Sequence, residues 1–202
     1  MPVADSLTLT ILAGGRGSRL GGIDKAALQL AGRPLLEHVL AALGPLASEV
    51  VVVANDDRLA GDTRFILIRD PEPHAGVLPA LLASLDAATS PLMLLVACDM
   101  PFLSRPLFGE LVGLAAQFDA VVPRVDGFDQ PMHAVYRVEP CRAAIRSALA
   151  QNRRRMIAFL DDVRTLHLAE PEVRRLDPEL RSFFNVNTPD DLELAERLAA
   201  ER

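Results

Sequence analysis

An apolar, β-branched run ending at Leu12 breaks into Ala13-Gly-Gly-Arg-Gly-Ser-Arg-Leu-Gly-Gly-Ile-Asp-Lys25. Glycine tolerates positive φ and lets a backbone approach a ligand with no Cβ in the way. Consecutive N–H groups in such a loop, ahead of a helix start, make a concave anion site. Arg16, Arg19 and Lys25 add cations to Gly14, Gly15 and their neighbours. The chemistry is that of a polyphosphate: Arg19 and Lys25 can neutralise triphosphate oxygens as charge builds on a leaving pyrophosphate.

Two common phosphate loops do not fit. A dinucleotide fingerprint needs Gly-x-Gly-x-x-Gly, and Leu20 stands where Gly15-Arg-Gly-Ser-Arg would require the third glycine. A P-loop needs Ser or Thr after its lysine, and Lys25 is followed by Ala26. The stretch instead resembles the signature of nucleotidyltransferases that use a nucleoside triphosphate, Leu-x-Gly-Gly-x-x-x-Arg-(Leu/Met)-Gly-x-x-Lys.

Asp99 follows the most apolar segment and precedes Met100-Pro101, which stops it. An aspartate at a strand tip facing a phosphate loop suits Mg²⁺, which takes one or two carboxylates and completes its shell with water and phosphate oxygens. The same residue could simply cap a loop. Asn55 and Asp70 could hydrogen-bond a base or ribose, although each alone is also a common turn residue. His74 and His133 lie in no nucleophile or metal spacing and read as structural or surface groups. Arg153-Arg-Arg155 either complements a helix C-terminus or grips a second anionic substrate.

These residues must be positioned by alternating elements. Periodicity predicts strands at 7–12, 49–54, 65–68 and 92–98, with helices over 34–43, 78–88 and 106–116. Further strands are predicted at 120–122, 132–138 and 164–168, and helices at 140–151 and 156–160. Thr188-Pro-Asp-Asp191 is a helix start, with a hydroxyl cap, proline in the first turn and acids at the positive dipole end, leading to about Ala200. The order predicts an α/β fold with a parallel sheet covered by helices on both faces. Ligands then lie beyond the carboxyl ends of the strands, where the glycine loop, Asn55, Asp70 and Asp99 all fall.

The 202 residues are expected to form a single domain, with no repeat or linker dividing it, and half of them are apolar. A net charge of −6 argues against a nucleic-acid binder. No apolar run approaches the roughly 18 residues of a membrane span, and the N-terminus carries no signal-peptide pattern. Cys98 and Cys141 match neither metal nor redox spacing, which suits a reducing cytoplasm.

Taken together, the motifs resemble the molybdenum cofactor guanylyltransferase family. The resemblance spans Leu9 to about Leu198. It rests on Leu12–Lys25, Cys98-Asp-Met-Pro-Phe102, Gln130-Pro-Met-His-Ala-Val-Tyr-Arg137, the arginine run, and Phe184-Asn-Val-Asn-Thr-Pro-Asp-Asp-Leu192. The Asn185-Val-Asn187-Thr-Pro pattern and Ala13-Gly14-Gly15 look like guanylyl rather than cytidylyl members.

The resemblance implies a three-layer, Rossmann-like fold, with nucleotide in the N-terminal half and acceptor in the C-terminal half. It implies a GTP site at Leu12, Ala13, Gly14, Gly15, Lys25, Asn55, Asp70, Gly76 and Asp99, Mg²⁺ on Asp99, and Asn185 and Asn187 at the reaction centre. GTP and molybdopterin are the implied substrates, with transient contacts to proteins that supply molybdopterin or receive the product. One departure stands out. The family's Gly-Pro-Leu-x-Gly appears as Gly76-Val-Leu-Pro-Ala80, and the extra methyl group is expected to narrow the site or alter acceptor choice. A CTP-dependent or sugar-phosphate transferase and a non-catalytic nucleotide-binding or delivery protein are the rival readings.

Overall fold

The computed structural model describes residues 6–13, 28–70, 72 and 76–201, and the backbone of Arg16–Gly17 and Ile23–Asp24. In chain order the first half contains β1 (Leu7–Leu12), β2 (Arg16–Gly17), β3 (Ile23–Asp24), β4 (Gln29–Leu30), β5 (Arg33–Pro34), α1 (Leu35–Leu43), β6 (Glu49–Val53), β7 (Ile66–Ile68), α2 (Val77–Ala87), β8 (Leu92–Ala97) and α3 (Arg105–Leu114). The second half adds β9 (Ala120–Val125), β10 (Phe128–Asp129), β11 (Ala134–Arg137), α4 (Val138–Ala150), β12 (Thr165–Leu168), α5 (Glu170–Leu176) and α6 (Pro189–Ala200).

The main sheet runs β10-β9-β11-β8-β1-β6-β7, with β12 pairing on β9. β8, β1, β6 and β7 are mutually parallel. β11 is antiparallel to both β8 and β9, so it reverses direction between the two halves of the sheet. β1 is buried along its whole length, as expected for a strand covered on both faces.

Alternate side chains feed two separate cores. Leu9, Ile11, Leu94, Val96, Val121 and Val135 pack with residues of α1, α3 and α5 on one face. Leu12, Met93, Leu95, Val122 and Tyr136 pack with α2 and α4 on the other. The result is a helix–sheet–helix sandwich. A third cluster joins Leu28, Leu30, Leu35, Phe102, Val186 and Ala195. It brings the end of the chain back against the segment that follows the glycine loop, and Ala31 N–H donates to Glu196 Oε1 at 2.9 Å across the same seam.

Most element boundaries shift by a residue or two from the sequence reading, while β9 is longer than its predicted three residues. One predicted element does not form. Residues 156–160 make turns that end in a 3₁₀ segment at Leu160–Asp162 rather than an α-helix. Only Phe159 and Leu160 of that stretch are buried, too short an apolar pattern to repay helix nucleation. The Arg153 guanidinium bonds the Ala158 carbonyl and pairs with Asp162 at 2.6 Å, holding the turns instead. Conversely, α5 forms where no helix is predicted.

Candidate active site

The register of the parallel strands sets the site. Leu12 aligns with both Val53 and Ala97, and Val53 aligns with Ile68. One step further, Ala13 N–H donates to Val53 O at 2.9 Å, Ala54 N–H to Ile68 O at 3.0 Å, and Cys98 N–H to Leu12 O at 3.0 Å. Asn55, Asp70 and Asp99 are therefore each two residues past a common row and emerge along one carboxyl edge. The sequence prediction of their shared location holds.

Asp99 leaves that edge in an unusual setting. Cys98, Met100, Pro101, Phe102 and Leu103 are all buried, and Asp99 is the residue of this stretch that reaches solvent. The apolar loop fixes the backbone while the carboxylate stays at the surface. Its carbonyl oxygen accepts the Val186 N–H at 2.9 Å. Val186 is fully buried against Phe102 and Leu28, and Asn185 and Asn187, half-buried, flank it. Asn185 and Asn187, 86 and 88 positions further along the chain, are thereby brought alongside Asp99.

The exit of this arm is also fixed. Thr188 Oγ1 accepts the Asp191 N–H, while Asp191 Oδ2 accepts the N–H groups of Thr188 and Asn187 at 2.8 and 2.9 Å. This is the predicted start of α6, in the form of a capping box. Asn185 Nδ2 donates to Phe183 O at 3.3 Å.

Asn55 is exposed beside the strand ends. Asp70 Oδ1 accepts the Glu72 N–H at 3.1 Å, a turn-forming bond. Gly76 caps α2 with φ 98° and ψ 178°, a region populated essentially by glycine. A Cβ there would meet nothing closer than the Arg154 carbonyl at 3.9 Å, so backbone conformation rather than space demands glycine. Ala80 is 6% exposed within the core under α2. Its methyl group packs against that core.

The arginine run lies beyond the helix rather than in its last turn. α4 ends at Ala150, and Asn152 takes a left-handed conformation that turns the chain away. Arg153 is engaged as described above, and Arg154 pairs with Glu72 at 3.1 Å. That pair ties the run to the loop after β7. Gly14, Gly15, Arg19 and Lys25 lie outside the described residues, as does His74. The backbone of Arg16–Gly17 pairs with that of Ile23–Asp24 on either side of the loop centre.

Residue type alone did not disclose His133. It is 2% exposed, and burial lowers its pKa to about 4 despite a hydrogen bond to Ser182 and the opposing pull of Asp99 and Asp177. Its ring is therefore neutral at ordinary pH.

The MobA-like NTP transferase domain family matches residues 9–165. The chain belongs to this family. A Chloroflexus aggregans protein named a probable molybdenum cofactor guanylyltransferase is 38% identical over 205 residues, covering 97% of this chain and 96% of that one. The molybdenum cofactor guanylyltransferase of a Bradyrhizobium species is 36% identical, covering 94% and 92%. The crystal structure of molybdopterin-guanine dinucleotide biosynthesis protein A from Archaeoglobus fulgidus superposes with a TM-score of 0.81 at 29% identity, covering 96% of this chain and all of that one. The fold is thus that of a MobA-like nucleotidyltransferase, and the carboxyl edge carrying Asp99 is the part of it described above.

Proposed function

We propose that this nucleotidyltransferase moves GMP from GTP to the terminal phosphate of molybdopterin, forming molybdopterin guanine dinucleotide and releasing pyrophosphate. The observation that carries the reading is the convergence on Asp99: one carboxylate on an otherwise buried loop, bonded through its backbone to the segment holding Asn185 and Asn187. The names of the relatives support the choice of nucleotide and acceptor.

In this reaction an oxygen of the acceptor phosphate attacks the α-phosphorus of GTP in line. The bond between the α-phosphorus and the bridging oxygen to the β-phosphorus breaks, and that oxygen leaves with pyrophosphate. A phosphate nucleophile is already ionised near neutral pH, so positioning and charge stabilisation suffice and no protein base is required. Arg19 and Lys25 meet the triphosphate, with Gly14 and Gly15 giving backbone access. Ala13 N–H is already donated to Val53, so Leu12 and Ala13 form the wall of the site rather than its donors. Asn55 and Asp70 meet the nucleoside, and Gly76 shapes the turn beside it.

The donor set suits Mg²⁺. Among the described residues no cluster of three or more His, Cys, Asp or Glu forms a metal cage, whereas Mg²⁺ commonly takes one carboxylate and fills its shell with substrate phosphate and water. Asp99 would hold it, with the Asn185 and Asn187 amides ligating or orienting without added negative charge. Bound there, the ion would offset charge on the α-phosphate and the leaving group.

Arg155 is exposed, and its guanidinium has no partner among the described residues. It is the member of the arginine run assigned to the acceptor phosphate. Cys98 and Cys141 are buried and not joined in a disulfide, in keeping with a cytoplasmic setting. No helix among the described residues is long and apolar enough to cross a membrane. Transient contacts with a molybdopterin donor protein and with recipient molybdoenzymes complete the proposal.

The test is pyrophosphate release with molybdopterin and Mg²⁺, comparing GTP with CTP, ATP and UTP. Release with GTP alone is expected. Release with CTP alone would move the chain to a cytidylyl role, and GTP binding without release would make it a carrier.

A further inference from the structure

The ring of His133 lies beside Phe108 and Phe183, with centroid separations of 6.4 and 4.5 Å. Nε2 is 2.8 Å from the Ser182 carbonyl oxygen. A carbonyl can only accept, so Nε2 carries the proton and Nδ1 keeps a bare lone pair. Nδ1 is buried with no hydrogen-bond partner among the described residues. A polar atom left unpaired in the interior is costly, and an apolar side chain would fill an aromatic slot without that cost. What the histidine offers over such a side chain is the Nε2–H donor.

What it holds is a junction. Ser182 is fully buried, and its N–H donates to Asp177 Oδ2 at 2.8 Å while its Oγ accepts the Ser104 N–H at 2.8 Å. Ser104 begins α3 at the end of the loop that Asp99 opens. Three residues after Ser182 comes Asn185, and the next residue makes the Val186–Asp99 bond. The junction and that bond thus fix the arm at two points, on either side of Asn185.

We propose that His133 is a positioning residue for the transfer step, its hydrogen bond to Ser182 setting the arm that carries Asn185 and Asn187 to Asp99. This rests on the reaction proposed above. His133 touches neither substrate nor metal in this account and acts through Ser182.

The test compares His133→Gln with His133→Met in the full chain. The two side chains have nearly the same length and volume, but only glutamine can donate to the Ser182 carbonyl. The methionine variant is expected to lower kcat for pyrophosphate release about tenfold, with KM for GTP within about twofold, and glutamine to recover most of the loss. Amide exchange across 183–187 should accelerate in the methionine variant and return towards wild type with glutamine. His133→Phe, which keeps the aromatic packing, should behave like methionine and serves if methionine does not fold. Equal losses in the glutamine and methionine variants, tracking their melting temperatures, would overturn the proposal, as would wild-type kcat and exchange in both donor-less variants. Faster exchange in the donor-less variants of a chain whose wild type releases no pyrophosphate would support the hold on the arm and overturn the transfer reading.

Discussion

The Val186 N–H donates to the Asp99 carbonyl at 2.9 Å, joining the exit of the central strand β8 to the arm before the last helix. The bond uses backbone atoms of both residues. It fixes the backbone position of Asp99 and of the two asparagines that flank Val186 without using their side chains. Phe102 and Leu28 pack around Val186, so the same contact braces the segment that follows the glycine loop.

Replacing Asp99 by asparagine keeps the shape of the side chain and removes its charge. Pyrophosphate release is expected to fall by about 10² to 10³, the usual magnitude for loss of a preorganised charge-stabilising group. The melting temperature should stay within a few degrees, because the bond to Val186 is made by the backbone. Steady-state rates as a function of Mg²⁺, alongside thermal melts, check both parts.

Asn185→Ala and Asn187→Ala should each lower kcat by roughly 10² with a smaller effect on KM for GTP. Their combination should cost less than the product of the two, since groups that act as a unit are not additive. Asn187→Asp adds a negative charge near Asp99 and the triphosphate and should be at least as damaging as alanine. A double-mutant cycle on kcat/KM measures this coupling.

Val186→Ala removes apolar volume from a fully buried position and should cost about 2 kcal/mol of stability. It keeps the N–H that bonds Asp99, so activity at low temperature should survive better than in the asparagine variants. Chemical denaturation and activity assays at matched temperature separate the two effects.

Burial makes His133 a source of acid lability. Its pKa is lowered from 6.5 to about 4 in the folded chain. Above about pH 6.5 the ring is neutral in both states. Between 6.5 and 4 the unfolded chain binds a proton that the folded one refuses, so stability falls as pH falls. The full contribution is about 3 kcal/mol, reached near pH 4. Asp99 and Asp177, which act on the ring, favour its protonated form and moderate the loss. His133→Phe should flatten the stability profile over that window, as read by urea denaturation at successive pH values.

Ala80→Gly would restore the glycine of the family pattern. Ala80 is buried inside α2, and its carbonyl accepts the Ser84 hydroxyl at 2.8 Å. The substitution should cost roughly 1 kcal/mol through helix propensity and lost packing, with kcat for GTP unchanged. A gain in activity would show that the methyl group does reach the site.

The sequence discloses those features in which residue type carries the cause. The apolar runs at Leu7–Leu12 and Leu92–Ala97 are short and sharply bounded, which favours covered strands over helix, and the residues just past them mark the ligand edge without reference to a motif. Thr188-Pro-Asp-Asp191 spells out its own cap. The antiparallel β11 between β8 and β9 is hidden because local alternation does not name a strand's partner. α5 has a single buried residue, Val173, and so almost no helical periodicity. The Val186–Asp99 bond leaves no trace in either side chain. His133 sits in Gln130-Pro-Met-His133, yet nothing in its neighbours along the chain reveals that Phe108, Phe183 and Ser182 enclose it.

The most direct measurement is transfer of label from GTP carrying a radioactive α-phosphorus, incubated with molybdopterin, Mg²⁺ and the full chain. Label is expected to enter a dinucleotide containing the pterin, with one pyrophosphate released per label transferred, and Asp99→Asn should lower both by about 10² to 10³. Label that remains in GTP, or that appears only as free GMP, would contradict it.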